Sequence, residues 1–244
     1  MASLFFLNIK RKKSHFLCKF REFAIAPCNS KLTLLFFIKD LSVCKRSLKM
    51  SKAQETREKI LREAAALFNQ YGYSGSSMSD IMRVTGLQKG GIYNHFHSKD
   101  ELALQAFDFA AECMRQEYLR ALKGNKNAID RLKAIVSVFS NLAENPPIPG
   151  GCPLLNTAVE SDDAHPALRQ RAQIAMDGWR ALICKIIDKG IAKGEVRENV
   201  EADAVATIVI STLEGAIMMS KLYGDPIHIK RAIAHLHDYL DNQL

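Results

Sequence analysis

A stretch of 26 residues from 77 to 102, SMSDIMRVTGLQKGGIYNHFHSKDEL, restricts what this chain can fold into more than any other part of it. Ser77 followed by Met78, Ser79 and Asp80 is an S-x-x-D pattern. In it the hydroxyl caps free backbone N–H groups and the acid favours the positive end of a helix. A helix is therefore predicted to start near Met78, with Ile81, Met82 and Val84 on its apolar side. Thr85-Gly86 ends it, because glycine takes the left-handed conformation that turns the chain. Leu87 opens a second element in which Ile92 and Phe96, four apart, share a face. Gln88, Lys89, Gly90, Gly91, Tyr93 and His95 are left for the other side. Helix, tight turn and helix make the helix-turn-helix unit, whose second helix enters the major groove of DNA by its N-terminal end.

The composition of the second helix suits that task. Gly90-Gly91 weakens helix propensity by roughly 1 kcal/mol per residue relative to alanine, so its presence at a helix start calls for compensation. Close backbone approach to a phosphate supplies it, with Lys89 adding charge and Tyr93 and His95 offering directional hydrogen bonds. The plainer alternative makes Gly90-Gly91 a connector and Tyr93 a packed aromatic; the ordered combination argues against it. Ser98-Lys99-Asp100-Glu101 forms a second capping box, which starts the next helix and leaves Lys99 at the DNA edge. Ser77, Arg83, Gln88, Lys89, Gly90, Gly91, Tyr93, His95 and Lys99 are the candidate DNA-binding residues.

These residues resemble the DNA-binding domain of TetR/AcrR-family transcriptional regulators over about residues 52 to 111. The first helix ends in Phe68-Asn69-Gln70-Tyr71-Gly72-Tyr73, matching the family's Phe-x-x-x-Gly-Tyr. Ser77, Asp80-Ile81 and Gly86-Leu87 follow, and then Lys89-Gly90-Gly91-Ile92-Tyr93 and His95-Phe96-x-Ser98-Lys99 match the family's remaining runs. Gly91 replaces the commoner Thr or Ser, and Gln88 stands where Ser is frequent; both departures bear on base preference. The resemblance implies an all-α protein: a three-helix helix-turn-helix domain over 50–100, then a helical ligand-binding and dimerisation domain over 101–244, with about nine helices.

The formal charge of +8 does not belong to this unit. Residues 1–49 carry eleven Lys/Arg and two Asp/Glu, and of the totals of 34 and 26 this leaves 23 basic and 24 acidic residues from 50 onward. DNA affinity must come from local placement of Lys89, Lys99, Arg83 and a basic start such as Lys52, and it should weaken steeply with salt. The first 49 residues show no sustained period. Their longer apolar burst, seven residues over 32–38, is far short of the roughly 20 that span a bilayer. They are expected to be a disordered extension or sequence upstream of a natural start at Met50, and no membrane partner is expected.

Helical periodicity continues through the rest of the chain. Ile60, Ala64, Leu67, Phe68 and Tyr71 mark a first helix over 54–71, and Leu104, Phe107, Ala111, Met114 and Tyr118 a long one ending near Gly124. Ile129, Leu132, Val136, Phe139 and Ala143 mark another, stopped by Asn145-Pro146-Pro147. A short helix is expected over 152–160, a polar break at Asp162-Asp163, and a long helix from Pro166 carrying Leu168, Ala175, Trp179, Leu182 and Ile186. Residues 202–223 are apolar nearly all round and so buried on more than one side, and Ile229, Ile233, Leu236 and Leu240 give a last amphipathic helix. Both final helices are more apolar than a monomer of this size requires, which fits either a homodimer or an internal hairpin, and the family resemblance implies the homodimer.

The family resemblance implies a largely apolar pocket for an unidentified small-molecule effector, and Phe107, Met114, Phe139, Cys152, Trp179 and Met218 are its candidate lining. The resulting reading is a cytoplasmic repressor that binds a palindromic double-stranded operator as a homodimer and is released by the effector. Cys113, Cys152 and Cys184 show no metal-binding spacing, so no cofactor and no metal site are expected. Cys152 follows a Pro/Gly-rich loop at a helix start, where the dipole lowers thiol pKa, so a thiol- or electrophile-sensing regulator is an alternative. Glu160, Asp162 and Asp163 near His165 form an acidic cluster better explained by a loop than by acid–base chemistry. No nucleophile elbow, phosphate loop or HExxH occurs, which leaves no catalytic residues and makes a helical enzyme or a pure protein-interaction module the weaker rivals.

Overall fold

The structure, a computed structural model, describes residues 51–161 and 164–244, apart from the side chains of residues 143 and 144. The expectations for residues 1–49, Met50, the side chain of Ala143, Asp162 and Asp163 lie outside the described residues. Among the described residues the fold is nine α-helices and no strand. They are α1 (Lys52–Tyr71), α2 (Met78–Thr85), α3 (Lys89–Tyr93), α4 (Lys99–Ala121), α5 (Ala128–Glu144), α6 (Pro153–Ser161), α7 (Pro166–Ile191), α8 (Ala202–Tyr223) and α9 (Ile227–Gln243).

The first three helices and the first half of α4 enclose one core. Ile60, Ala64 and Leu67 of α1 meet Ile81, Ile92 and Phe96, and Leu102, Ala106 and Ala110 of α4 complete the cluster. Two residues depart from the expected pattern. Tyr71, placed on the buried face of α1 by its spacing, is 66 % exposed at the last residue of the helix. Phe96 is buried although α3 stops at Tyr93, so it reaches the core from the turn after the helix and not from its face. Ile148, from the loop after α5, also enters this cluster, so the head is sealed by a residue far along the chain.

A second core lies among α4 to α9, with Phe139, Leu132, Ile183, Ile187, Leu213 and Leu236 at its centre. At its middle Tyr118, Phe139 and Trp179 stack with interplanar angles of 11–19° and centroids 5.4–6.3 Å apart. Pro166 opens α7 as expected, with His165 Nδ1 accepting from the Leu168 N–H at 3.2 Å.

α8 is long and apolar enough to cross a membrane by length and composition, yet it packs against α5, α7 and α9. Its burial is one-sided, contrary to the expectation of burial on more than one side. Val205, Val209, Leu213 and Ile217 face the core, while Ile208, Met218, Met219, Leu222 and Tyr223 are exposed.

Candidate nucleic-acid interface and effector cavity

Local capping positions the reading hairpin. Ser77 and Asp80 close a capping box: Asp80 N–H donates to Ser77 Oγ at 3.1 Å, and Ser77 N–H donates to Asp80 Oδ2 at 2.9 Å. Hydrogen bonds from Ser77, then from Arg83, hold the Asp80 carboxyl down at about 2, so it is charged throughout the physiological range. Thr85 Oγ1 turns back to the Ile81 carbonyl at 2.7 Å, and Gly86 takes φ +68°, a conformation costly for any residue with a Cβ. Both features set the angle at which α3 leaves the turn.

α3 is a five-residue helix whose N-terminal end is bare. Gln88 sits at its N-cap without a side-chain capping bond, and Gln88, Lys89 and Gly90 are all exposed. A Cβ added at Gly90 would meet nothing within 4 Å, and one at Gly91 would make only an ordinary contact with Leu87 at 3.6 Å. Nothing among the described residues requires either glycine. Tyr93 is 36 % exposed with Lys89 Nζ 5.5 Å from its ring centre, and His95 is half-buried beside Phe96.

Two of the expected DNA-edge residues have further attachments. Arg83 pairs with Asp80 at 3.2 Å while staying largely exposed. Lys99 is drawn inward: its Nζ donates to the Tyr73 carbonyl at 2.6 Å and lies 4.0 Å from the Tyr73 ring centre. Its charge is therefore spent largely on the α1–α2 corner, not left at the edge. Burial, and then the hydrogen bond to Asp100, push the Tyr73 hydroxyl up to about 12. At the start of α4, Glu101 N–H donates to Ser98 Oγ at 3.0 Å, but the reciprocal bond comes from His97 N–H at 2.7 Å, one residue earlier than a capping box would have it.

The second feature is a cavity of about 280 Å³ between α4, α6 and α7. Of the candidate effector-lining residues, Phe107, Met114, Cys152 and Trp179 line it, together with Tyr118, Leu154 and Ile174. Two expected residues do not. Phe139 lies in the core against Trp179, where the stacked rings separate it from the space. Met218 is 52 % exposed on the outer side of α8, because its position on that helix turns away from the core. Sequence reasoning missed the Asp108–Arg171 pair at 2.8 Å and Arg115, which also line the cavity; an i, i+3 acid–base pattern at Glu112-Arg115 was a signal for Arg115, whereas the Asp108–Arg171 pair joins two helices and has no local pattern.

Cys152 does not have the environment of a reactive thiol. The backbone N–H groups of Leu154 and Leu155 favour its thiolate, as a helix start should, but burial and the neighbouring Glu214 carboxyl outweigh them and push the thiol well up. Its Sγ donates to Glu214 Oε1 at 3.0 Å. The structure therefore gives no support to the thiol-sensing alternative, since burial and Glu214 oppose the effect of the helix start. The acidic cluster is also accounted for at Glu160, whose carboxylate accepts the Tyr73 N–H at 2.8 Å and the Ser74 N–H at 2.9 Å.

Comparison with known proteins agrees with this geometry. The profile for bacterial regulatory proteins of the tetR family matches residues 60–106, and the one for the tetracyclin repressor-like C-terminal domain matches residues 128–236. A crystal structure of a TetR transcriptional regulator from Chloroflexus aurantiacus is 48 % identical, covering 79 % of this chain and 98 % of that one, with a TM-score of 0.77. The HTH-type regulator YxaF of Bacillus subtilis is 27 % identical over 70 % of this chain and 87 % of its own. The HTH-type transcriptional repressor DhaR of a Mycobacterium species is 25 % identical over 68 % and 82 %. These relatives are transcriptional regulators and not enzymes.

Proposed function

This chain belongs to the TetR family of bacterial transcriptional regulators, and on that premise we propose that it is a dimeric, effector-responsive repressor that reads a palindromic operator with α3. The observation that carries the reading is the bare N-terminal end of α3, where Gln88, Lys89 and Gly90 face outward and no contact among the described residues uses the space beside Gly90. Free N–H groups at a helix start, with a lysine beside them and no Cβ in the way, are what a phosphate requires. Tyr93 and His95 supply directional contacts from the same short element.

Dimerisation is supported by the exposed row on α8, Ile208, Met218, Met219, Leu222 and Tyr223. Met218, Met219, Leu222 and Tyr223 gather in the last turns of α8, and exposed apolar surface of this kind marks an interaction site. A two-fold pairing there would present two α3 helices to successive major grooves, about 34–36 Å apart. The 280 Å³ cavity, mostly apolar with charged pairs at Asp108–Arg171 and Glu112–Arg115, supports a small and largely apolar effector. To release DNA the effector must bind better to the conformation that fits the operator poorly. A protein acting on operator DNA works in the cytoplasm.

The test is selection of bound DNA from a random pool, followed by footprinting and sedimentation. The reading requires a two-fold symmetric site, a dimer at micromolar concentration, and loss of binding in Lys89→Ala and Tyr93→Ala with dimerisation kept. A monomer with full operator affinity would sink it.

A further inference from the structure

The far end of the regulatory domain holds a concentration of positive charge that the DNA reading does not use. α4 is 23 residues long, so at a rise of 1.5 Å per residue its end lies roughly 34 Å from Lys99 and the head. There the end of α4, the start of α5 and the last turns of α7 frame an open cavity of about 320 Å³. Lys126, Arg131, Lys185, Lys189 and Lys193 line it, against one acid, Glu195. The shape depends on Gly190. A Cβ there would lie 2.6 Å from Ala128 Cβ and 2.7 Å from Val196 Cγ2, so only glycine lets α7 close on the start of α5.

Glu195 is already committed. Its Oε2 accepts the Ala128 N–H at 2.8 Å, and its Oε1 lies 3.8 Å from Lys193 Nζ. Arg131 donates to the neutral Asn125 carbonyl at 3.3 Å. Among the described residues no ion pair involves Lys126, Arg131, Lys185 or Lys189. Stabilisation of helix C-termini is the plainest use for such cations. The ends of α4 and α7 supply only about −0.5 each, which offsets about one of the four excess charges. General basicity does not explain the cluster either, because residues 50–244 carry 23 basic and 24 acidic residues. Like charges gathered in a concave, low-dielectric wall focus the field and raise the local concentration of anions.

We infer that this cavity is a second ligand site, for a small organic phosphate carrying at least two negative charges. Its volume is at the lower end of the range of small-molecule sites and exceeds what a single phosphate needs. Leu122 and Ile186 give the organic part an apolar floor. Arg131 offers a bidentate fork and the lysines mobile point charges, the donors that phosphoryl oxygens take. The inference stands on this cluster alone and does not depend on operator binding or on the cavity beside Trp179.

The experiment is calorimetric titration of the full chain with ATP, free of divalent metal, in about 50 mM salt so that screening is weak. Saturable binding of one ATP per subunit, with Kd tighter than about 1 mM, is expected. Lys185→Gln with Lys189→Gln should weaken it about tenfold or more, while Lys59→Gln with Lys230→Gln, which removes the same charge elsewhere, should leave it within about twofold. Absence of saturable binding, or equal weakening in the two double variants, would overturn the inference. Should the first double variant fail to fold by circular dichroism, Arg131→Gln carries the same test, with retained affinity as the overturning result.

Discussion

Cys152 donates its thiol hydrogen to Glu214 Oε1 at 3.0 Å, a buried pair that ties the start of α6 to the middle of α8. Glu214 Oε2 has no partner among the described residues, and burial raises the carboxyl from 4.5 to about 7, with the thiol's hydrogen bond opposing that rise. The folded protein therefore keeps a proton that the unfolded chain gives up between about pH 4.5 and pH 7. Stability from this group is lost as pH rises through that window, by about 3 kcal/mol at most. Glu214→Gln removes the titration, so its melting temperature relative to wild type should rise between pH 5 and pH 8. Parallel melting curves for the two proteins across that range would refute the account.

Gly90 separates folding from reading. An alanine Cβ there meets nothing within 4 Å, and alanine favours a helix by up to about 1 kcal/mol. Gly90→Ala should melt at the same or a slightly higher temperature and bind operator DNA at least about tenfold more weakly. Gel-shift titration beside thermal melting checks both halves; unchanged DNA affinity would remove Gly90 from the interface.

Glu160 clasps the head to the regulatory domain through the Tyr73 and Ser74 N–H groups. The same short helix, α6, begins at the cavity with Pro153 and Leu154. Replacing Glu160 with alanine strips two backbone donors of a charged acceptor and should cost about 1–3 kcal/mol. Amide hydrogen exchange should quicken at Tyr73 and Ser74 first. Exchange that stays at the wild-type rate there would show the clasp to be dispensable.

Ala175 lines the cavity from α7. Ala175→Leu fills part of that space, and overpacking there typically costs about 1–3 kcal/mol. Operator affinity should persist while release by the wild-type effector is lost, as measured by fluorescence anisotropy of labelled operator. Equal effector response in the variant would place the effector elsewhere.

Much of the head was legible because its signals are local. Capping residues, a Gly at the turn and apolar spacings of three and four act within a few residues of themselves, so Ser77, Gly86, Ile81 and Ile92 could be placed from their neighbours alone. The long helices were legible for the same reason, as Pro166 at the start of α7 shows.

What lay beyond the sequence depends on partners distant along the chain. Helical spacing says that Phe139 and Met218 are apolar, but only the packing of α5 and α8 decides that one stacks behind Trp179 and the other faces out. A helix start favours the Cys152 thiolate, but only the fold brings Glu214, 62 residues away, close enough to reverse that preference. The sequence by itself determined the helices and the reading hairpin, because capping and periodicity are short-range. Tertiary structure alone decided the cavity, the buried carboxyl and the basic cleft, because burial and charge depend on which helices meet.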